Sequence, residues 1–321
     1  MTAPAHAEHA VVTGVAGFIG STLATNLIDR GWVVRGIDCF TPYYDERIKH
    51  ANLALLRERP GFSFADVNLC HDDIKDTFNG ADVVFHLAGQ PGVRLSWDEG
   101  FPTYLDLNVL ATQRVLEALR RQTNTRLVYA SSSSVYGNTD TVPTPESQLP
   151  RPFSPYGVTK LAGEHLCLAY AENHGVSARV LRYFTVYGPR QRPDMALHRM
   201  IVSALNGDAF SLFGDGSQVR DFTYVDDVVE ATIAAGLSAD ASGHVINVAG
   251  GGSTTMTELV EIVGDAVGRP LRIETQPAQS GDVRATGGDT RLAHSVLGWR
   301  PMIDVREGVR RQTAWHRSRP R

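Results

Sequence analysis

The most constraining feature of this chain is a phased alternation of short apolar strands and helical spacings, which begins at Ala10-Val11-Val12-Thr13 and runs through its first half. That first strand passes straight into Gly14-Val15-Ala16-Gly17-Phe18-Ile19-Gly20, after which Leu23, Leu27 and Ile28 keep a helical spacing. Glycines in such a turn let the backbone approach a pyrophosphate, which free N–H groups and the dipole at the helix start can hold. The spacing is G-x-x-G-x-x-G rather than G-x-G-x-x-G, so the pattern alone is a weak nucleotide signal. The next strand, Trp32 to Ile37, ends in Asp38, about twenty residues past the turn, where a carboxylate accepts both hydroxyls of a ribose and repels a 2′-phosphate. Asp38 therefore favours NAD over NADP. Phe62 to Ala65, Ala81 to Ala88 and Arg126 to Ala130 read as further strands, and Thr103 to Arg121 as a helix. This order predicts an α/β fold, a doubly wound parallel (Rossmann) sheet with its ligand at the carboxyl ends of the strands. Gly89, Ser131 to Ser134 and Thr185 fall at such ends.

A second feature gives the fold a chemistry. Ser154-Pro155-Tyr156-Gly157-Val158-Thr159-Lys160 reads as a turn opening a helix, with Pro155 in the first turn where it is tolerated. Tyr156 and Lys160, four apart, share one helical face. A nearby ammonium favours the phenolate and brings a hydroxyl-deprotonating base toward working pH. Amphipathic helices often carry such a pair by chance, so its weight comes from Ser131 to Ser134 at the preceding strand end. A Ser/Tyr/Lys set with a nicotinamide is what reversible alcohol oxidation requires.

Composition narrows the alternatives. A formal net charge of −4 gives no general reason to expect a nucleic-acid or anionic-membrane surface. Cys39, Cys70 and Cys167 are too scattered for a disulfide framework or zinc site and read as small buried hydrophobes, with no metal implied. The start of the chain has no leader pattern, and no stretch approaches the roughly 18 apolar residues of a membrane span. The expectation is a soluble cytoplasmic protein.

Beyond residue 180 the rhythm breaks. Met195 to Leu205 reads as a helix, Phe210 to Phe213 and Leu271 to Glu274 as short strands, while a helix from Val225 and the strand His244 to Val248 return to the main sheet. The expected domains are discontinuous: residues 1–182 and 221–250 bind NAD, and residues 183–220 and 251–321 form a smaller mixed α/β substrate domain.

The motifs jointly resemble the extended short-chain dehydrogenase/reductase family, in particular its NAD-dependent sugar-nucleotide epimerases and dehydratases. They are Thr13 to Gly20, Asp38, Asp66-Val67-Asn68-Leu69, His86-Leu87-Ala88, Asn108, Ser131 to Gly137, Tyr156 with Lys160, and Arg220-Asp221-Phe222. Tyr43-Tyr44-Asp45, Gln90 to Arg94 and Arg182 to Ala196 are most like the UDP-glucuronate 4-epimerase branch. Thr185 is informative there, because epimerases of UDP-glucose usually carry Asn at this point. The resemblance implies a 4-epimerase with tightly bound NAD, passing through a 4-keto sugar. It implies Tyr156, Lys160 and Ser132 as the catalytic set. For the cofactor it implies Gly14, Gly17, Phe18, Ile19, Gly20, Asp38, Asp66, Val67, Leu87, Ala88, Asn108 and Tyr183 together with Tyr156 and Lys160. For the UDP-sugar it implies Ser132, Ser133, Ser134, Tyr156 and Thr185, with Arg192 beside the uronate carboxylate and Arg94, Phe213, Arg220 and Asp282 toward the UDP end. Arg190 is better read as a surface arginine. Gly89 and Leu95 depart from the branch's usual Ala and Tyr, and Gln279 stands where UDP-glucose epimerases often have Arg. By the same resemblance the helices from Thr103 and Tyr156 would build a four-helix homodimer contact. Alternatives are a 4-epimerase of UDP-glucose or UDP-N-acetylglucosamine and, in another class, a non-catalytic NAD-binding sensor, which usually loses the Tyr or Lys.

Overall fold

The structure is a computed structural model that describes residues 8–122, 124–239, 242–277 and 283–319. Strands β1 (His9–Thr13), β2 (Val33–Asp38), β3 (Phe62–Asp66), β4 (Val83–His86), β5 (Arg126–Ser132) and β6 (Ser177–Tyr183) join a seventh, Val245–Val248, in one sheet. From the seventh strand the order is β6, β5, β4, β1, β2, β3, and every pairing is parallel. The chain starts mid-sheet, winds outward through β2 and β3, then crosses back and winds the other way from β4. That reversal between β1 and β4 opens a crevice at the carboxyl ends, as the alternation predicts.

Both faces of the sheet are covered, which is why its strands read as apolar runs rather than alternating ones. Val12, Val34 and Phe85 belong to the core on one face, and Val11, Ile37, Val84 and Leu127 to the core on the other. The first helices are α1 (Phe18–Asp29), α2 (Glu46–Arg57), α3 (Phe101–Tyr104), α4 (Ala111–Leu119) and α5 (Pro155–His174). The continuous helix expected from Thr103 to Arg121 is instead α3, a π-helical stretch at Leu105–Leu110, and α4. Wide turns of this kind appear as local insertions, often at functional sites, and residue spacing does not reveal them. Here the insertion carries the buried Asn108.

Beyond β6 the strands are short and pair locally. Thr185–Tyr187 runs parallel to Phe222–Tyr224, Ala209–Phe213 parallel to Arg272–Gln276, and Val219–Arg220 antiparallel to Thr254–Thr255. Leu197, Met200 and Ile201 of helix Ala196–Asn206, and Leu259, Ile262 and Val263 of helix Met256–Val267, continue the core of one sheet face without a break. The back of the chain is thereby fixed over the crevice. Among the described residues, no helix is long and apolar enough to cross a membrane.

Candidate active site

A cavity of about 430 Å³ lies at the carboxyl ends of β1, β2, β4, β5 and β6 and is closed on its far side by residues 184–195. At its β1 edge, Gly14 has φ +70, and a Cβ on Gly20 would lie 2.2 Å from the Gly14 carbonyl oxygen. Only glycines allow α1 to start this close to the turn. The N-terminus of α1 carries no side-chain cap and no acid in its first turn, so its free N–H groups and dipole face the cavity unopposed. Asp38 is held by N–H donors from Ala16 at 3.0 Å, Cys39 at 2.9 Å and Phe40 at 3.2 Å. Its oxygens keep acceptor capacity for a diol. An uncapped helix start, a glycine cradle and an anchored acid fit a dinucleotide.

The middle of the cavity is braced by buried groups. His86, at the end of β4, bonds Thr13 Oγ1 at 2.8 Å and Thr112 Oγ1 at 3.1 Å, and Thr13 Oγ1 accepts the Ala88 N–H at 3.1 Å. Burial, with the Lys160 charge, pushes the imidazole down to about 3, so His86 is a neutral brace. Asn108 does not face the cavity. Its amide nitrogen donates to Gln90 O and Thr159 Oγ1, both at 3.0 Å, and its oxygen accepts the Gln90 N–H at 2.7 Å. It clamps the loop after β4 to α5. Gly89 explains its departure from Ala, because a Cβ there would stand 2.7 Å from Asn108 Oδ1. Leu95, by contrast, is 60% exposed and is not part of the cavity lining.

The sugar end is built by α5 meeting β5. Ser154 caps α5, accepting the Gly157 N–H at 3.2 Å, and a Cβ on Gly157 would lie 2.5 Å from Ser134 O. This close approach sets Tyr156 beside the serine turn. Ser132 Oγ donates to Ser134 Oγ at 3.1 Å and accepts the Ser134 N–H at 3.2 Å. Ser131 also borders the cavity, but its hydroxyl donates to Glu164 of α5. Glu164 is paired with Arg182 at 2.7 Å, their side chains 2% and 5% exposed. Removing one partner of such a buried pair costs about 3–5 kcal/mol. Glu164 therefore underpins the serine tract and is not free to act in the cavity.

Burial raises the Tyr156 phenol above its ordinary value, while Ser132 and the Arg192 charge pull it back. Lys160 sends its ammonium to Ala130 O at 2.9 Å, and burial pushes it down to about 8. The helical spacing placed the two on one face. Tyr156, Lys160 and Arg192 all line the cavity, and the Arg192 charge also bears on the phenol.

The cavity brings together Gly14, Gly17, Phe18, Ile19, Gly20, Asp38, Val67, Leu87, Ala88, Ser132, Ser133, Ser134, Tyr156, Lys160, Tyr183, Thr185 and Arg192. It does not gather Asp66, exposed at the end of β3, or Arg94 and Phe213, which stack on each other at 4.7 Å. Arg220 donates to Val219 O at 2.8 Å and is also outside the lining. Asp282 and Gln279 lie outside the described residues. Arg190 reaches Thr25 Oγ1 of α1 at 3.3 Å, a tether for its loop. Three residues that sequence reasoning left without a role converge here. Tyr104 donates to Pro91 O and Gly92 O at 2.9 and 2.7 Å and meets the Tyr156 ring edge-on at 6.1 Å, while Tyr43 and Asp194 stand against Arg192. Among the described residues, Asp38 is the one carboxylate lining the cavity. It lies three strands from Ser132 in the sheet order, roughly 14 Å at the usual strand spacing.

Comparison with known proteins gives concordant findings. The family model described as the NAD dependent epimerase/dehydratase family matches residues 10–249. The chain is 39% identical over 306 residues to the protein of Bacillus subtilis (strain 168) named uncharacterized UDP-glucose epimerase YtcB, covering 95% of this chain and 96% of that one. The UDP-glucuronic acid 4-epimerase from Bacillus cereus, solved in complex with UDP-glucuronic acid and NAD, superposes with a TM-score of 0.93 at 37% identity, over 96% of this chain and 99% of that one. MoeE5, solved with NAD and either UDP-glucuronic acid or UDP-glucose, is 42% identical, with TM-scores of 0.87 and 0.86 and coverage of 96% of this chain and 99% or 98% of that one.

Proposed function

The chain belongs to the NAD dependent epimerase/dehydratase family, and from that premise we propose that it is an NAD-dependent UDP-sugar 4-epimerase whose substrate is UDP-glucuronate. The observation that carries the reading is the pairing, at one end of the cavity, of a guanidinium with a serine tract and a Tyr, while Asp194, which holds that guanidinium from behind, does not line the cavity. NAD, when bound along Gly14 to Gly20 and Asp38, supplies reversible hydride chemistry at the sugar's C4. Tyr156 takes the proton of the C4 hydroxyl, with Ser132 bridging, and returns it once the 4-keto sugar has presented its other face. Lys160 holds the ribose next to the nicotinamide. The smaller region, residues 183–220 and 251–321, grips UDP throughout, with Arg94, Phe213, Arg220 and Asp282 toward that end. Asp66 and Asn108 act at the cofactor's margin, Asn108 through Gln90 and Thr159. Two chains associate through the faces of the π-helical stretch and α5, where Leu105, Leu110 and Val158 are exposed.

A C4 ketone lies β to the C6 carboxylate, and such an acid loses carbon dioxide when the C5–C6 bond aligns with the carbonyl π system. Arg192 holds the carboxylate out of that alignment, with Ser133, Ser134 and Thr185 donating to it. With no acid within the serine tract, Glu164 held by Arg182, and Asp38 the one described carboxylate lining the cavity, elimination lacks a carboxylate base beside C5. Arg192→Ala is expected to weaken UDP-glucuronate turnover about tenfold, the scale of one lost charge-assisted hydrogen bond or more, and to raise the decarboxylated fraction. Product analysis by NMR checks this. Unchanged turnover and an unchanged fraction would remove Arg192 from the carboxylate site. UDP-glucose remains the second reading, favoured by relatives named for that sugar at 39% and 35% identity.

A further inference from the structure

Arg192 reaches the cavity already engaged from behind. Its Nε donates to Asp194 Oδ1 and its Nη2 to Asp194 Oδ2, each at 3.0 Å, and the Tyr43 hydroxyl donates to the same Oδ2 at 3.3 Å. Nη1 has no hydrogen-bond partner among the described residues. Arg192 lines the cavity and Asp194 does not. The carboxylate therefore grips one edge of the guanidinium and leaves the other edge facing the substrate. Burial raises the Asp194 carboxyl, but the Arg192 hydrogen bonds outweigh it and keep it below the ordinary carboxylate range. The pair thus enters the reaction neutralised.

The charge state matters for selectivity. A bare guanidinium in a closed pocket attracts a carboxylate far more than a hydroxymethyl group, because it would otherwise stand uncompensated. A guanidinium that already has a counter-ion offers less, since an incoming carboxylate meets a like charge across it. We propose that Asp194 is a positioning residue that sets how strongly the site separates a C5 carboxylate from a C5 hydroxymethyl group, orienting Arg192 while cancelling its charge, so that UDP-glucuronate and UDP-glucose are both admitted. The inference rests on the UDP-glucuronate reading for its direction.

Asp194→Asn keeps the side-chain volume and an acceptor for Arg192 but removes the charge. The kcat/KM of the NAD-containing protein is measured for UDP-glucuronate and UDP-glucose, and the dissociation constant of each by calorimetric titration. The ratio favouring UDP-glucuronate is expected to rise about tenfold in Asp194→Asn, from a tighter KM and Kd for the uronate rather than from kcat. Asp194→Ser, which frees the guanidinium differently, should move the ratio the same way. A purely structural role would lower both sugars together and leave the ratio unmoved, and that result overturns the proposal, as does a fall in the ratio. If the unmodified protein turns over UDP-glucose alone, the uronate reading fails. The titrations still decide the role of Asp194, because the variant must tighten UDP-glucuronate relative to UDP-glucose whether or not either is converted.

Discussion

Tyr156→Phe is expected to lower kcat by about a thousandfold, the middle to upper range for losing a positioned general base, while NAD and UDP-sugar remain bound. The substitution removes one oxygen and keeps the ring that meets Tyr104 at 6.1 Å, so packing and stability should hold. The surroundings of the phenol act on its proton: burial raises it, and a hydrogen bond with Ser132 and the Arg192 charge lower it. The check is steady-state turnover with cofactor content measured on the same sample. Loss of activity with loss of cofactor would point to a structural role, and retained activity would remove Tyr156 from the chemistry.

Lys160→Met is expected to cost about a hundredfold in kcat and to weaken retention of NAD on gel filtration. Its stability signature has the opposite sign. Burial pushes Lys160 down to about 8, with Cys167 and Glu164 only partly offsetting it, so folding disfavours the charged form. Between about pH 8 and the ordinary lysine value the unfolded chain binds more protons than the folded one, and stability rises with pH across that window. Subtracting the Met variant's denaturation profile from that of the unmodified cofactor-free protein should isolate this climb. A flat difference would mean that Lys160 is not desolvated as described, and an unchanged kcat would separate it from catalysis.

What could be read in advance follows the length scale of the signal. The order of β1 to β6, the glycine turn and Asp38 are written in local spacing, and the sheet assembles them at one edge because parallel crossovers leave little choice. Tyr156 and Lys160 were legible for the same reason, four residues apart on α5. The Glu164–Arg182 pair joins residues from a helix and a strand, and nothing in either segment announces its burial. Asp194 sits two residues from Arg192 in an irregular loop, where no periodicity tells which way a side chain points. Tyr43 and Tyr104 arrive from the loop after β2 and from α3, and only the folded crevice brings them to the sugar end. The π-helical stretch at Leu105–Leu110 preserves helical composition while changing which side chain faces inward, so Asn108 was legible as a motif residue but not as a clamp on Gln90. Arg94, Phe213 and Arg220 carry the UDP assignment from resemblance, and the cavity does not gather them.

The most direct test of the central claim is to incubate the purified protein with UDP-glucuronate, without added NAD, and follow the sugar protons by NMR. UDP-galacturonate with no pentose product is the expected result, which requires both retained NAD and a protected keto acid. No conversion of UDP-glucuronate, with conversion of UDP-glucose or UDP-N-acetylglucosamine, would contradict the carboxylate reading of Arg192 and leave Tyr156 and Lys160 in place.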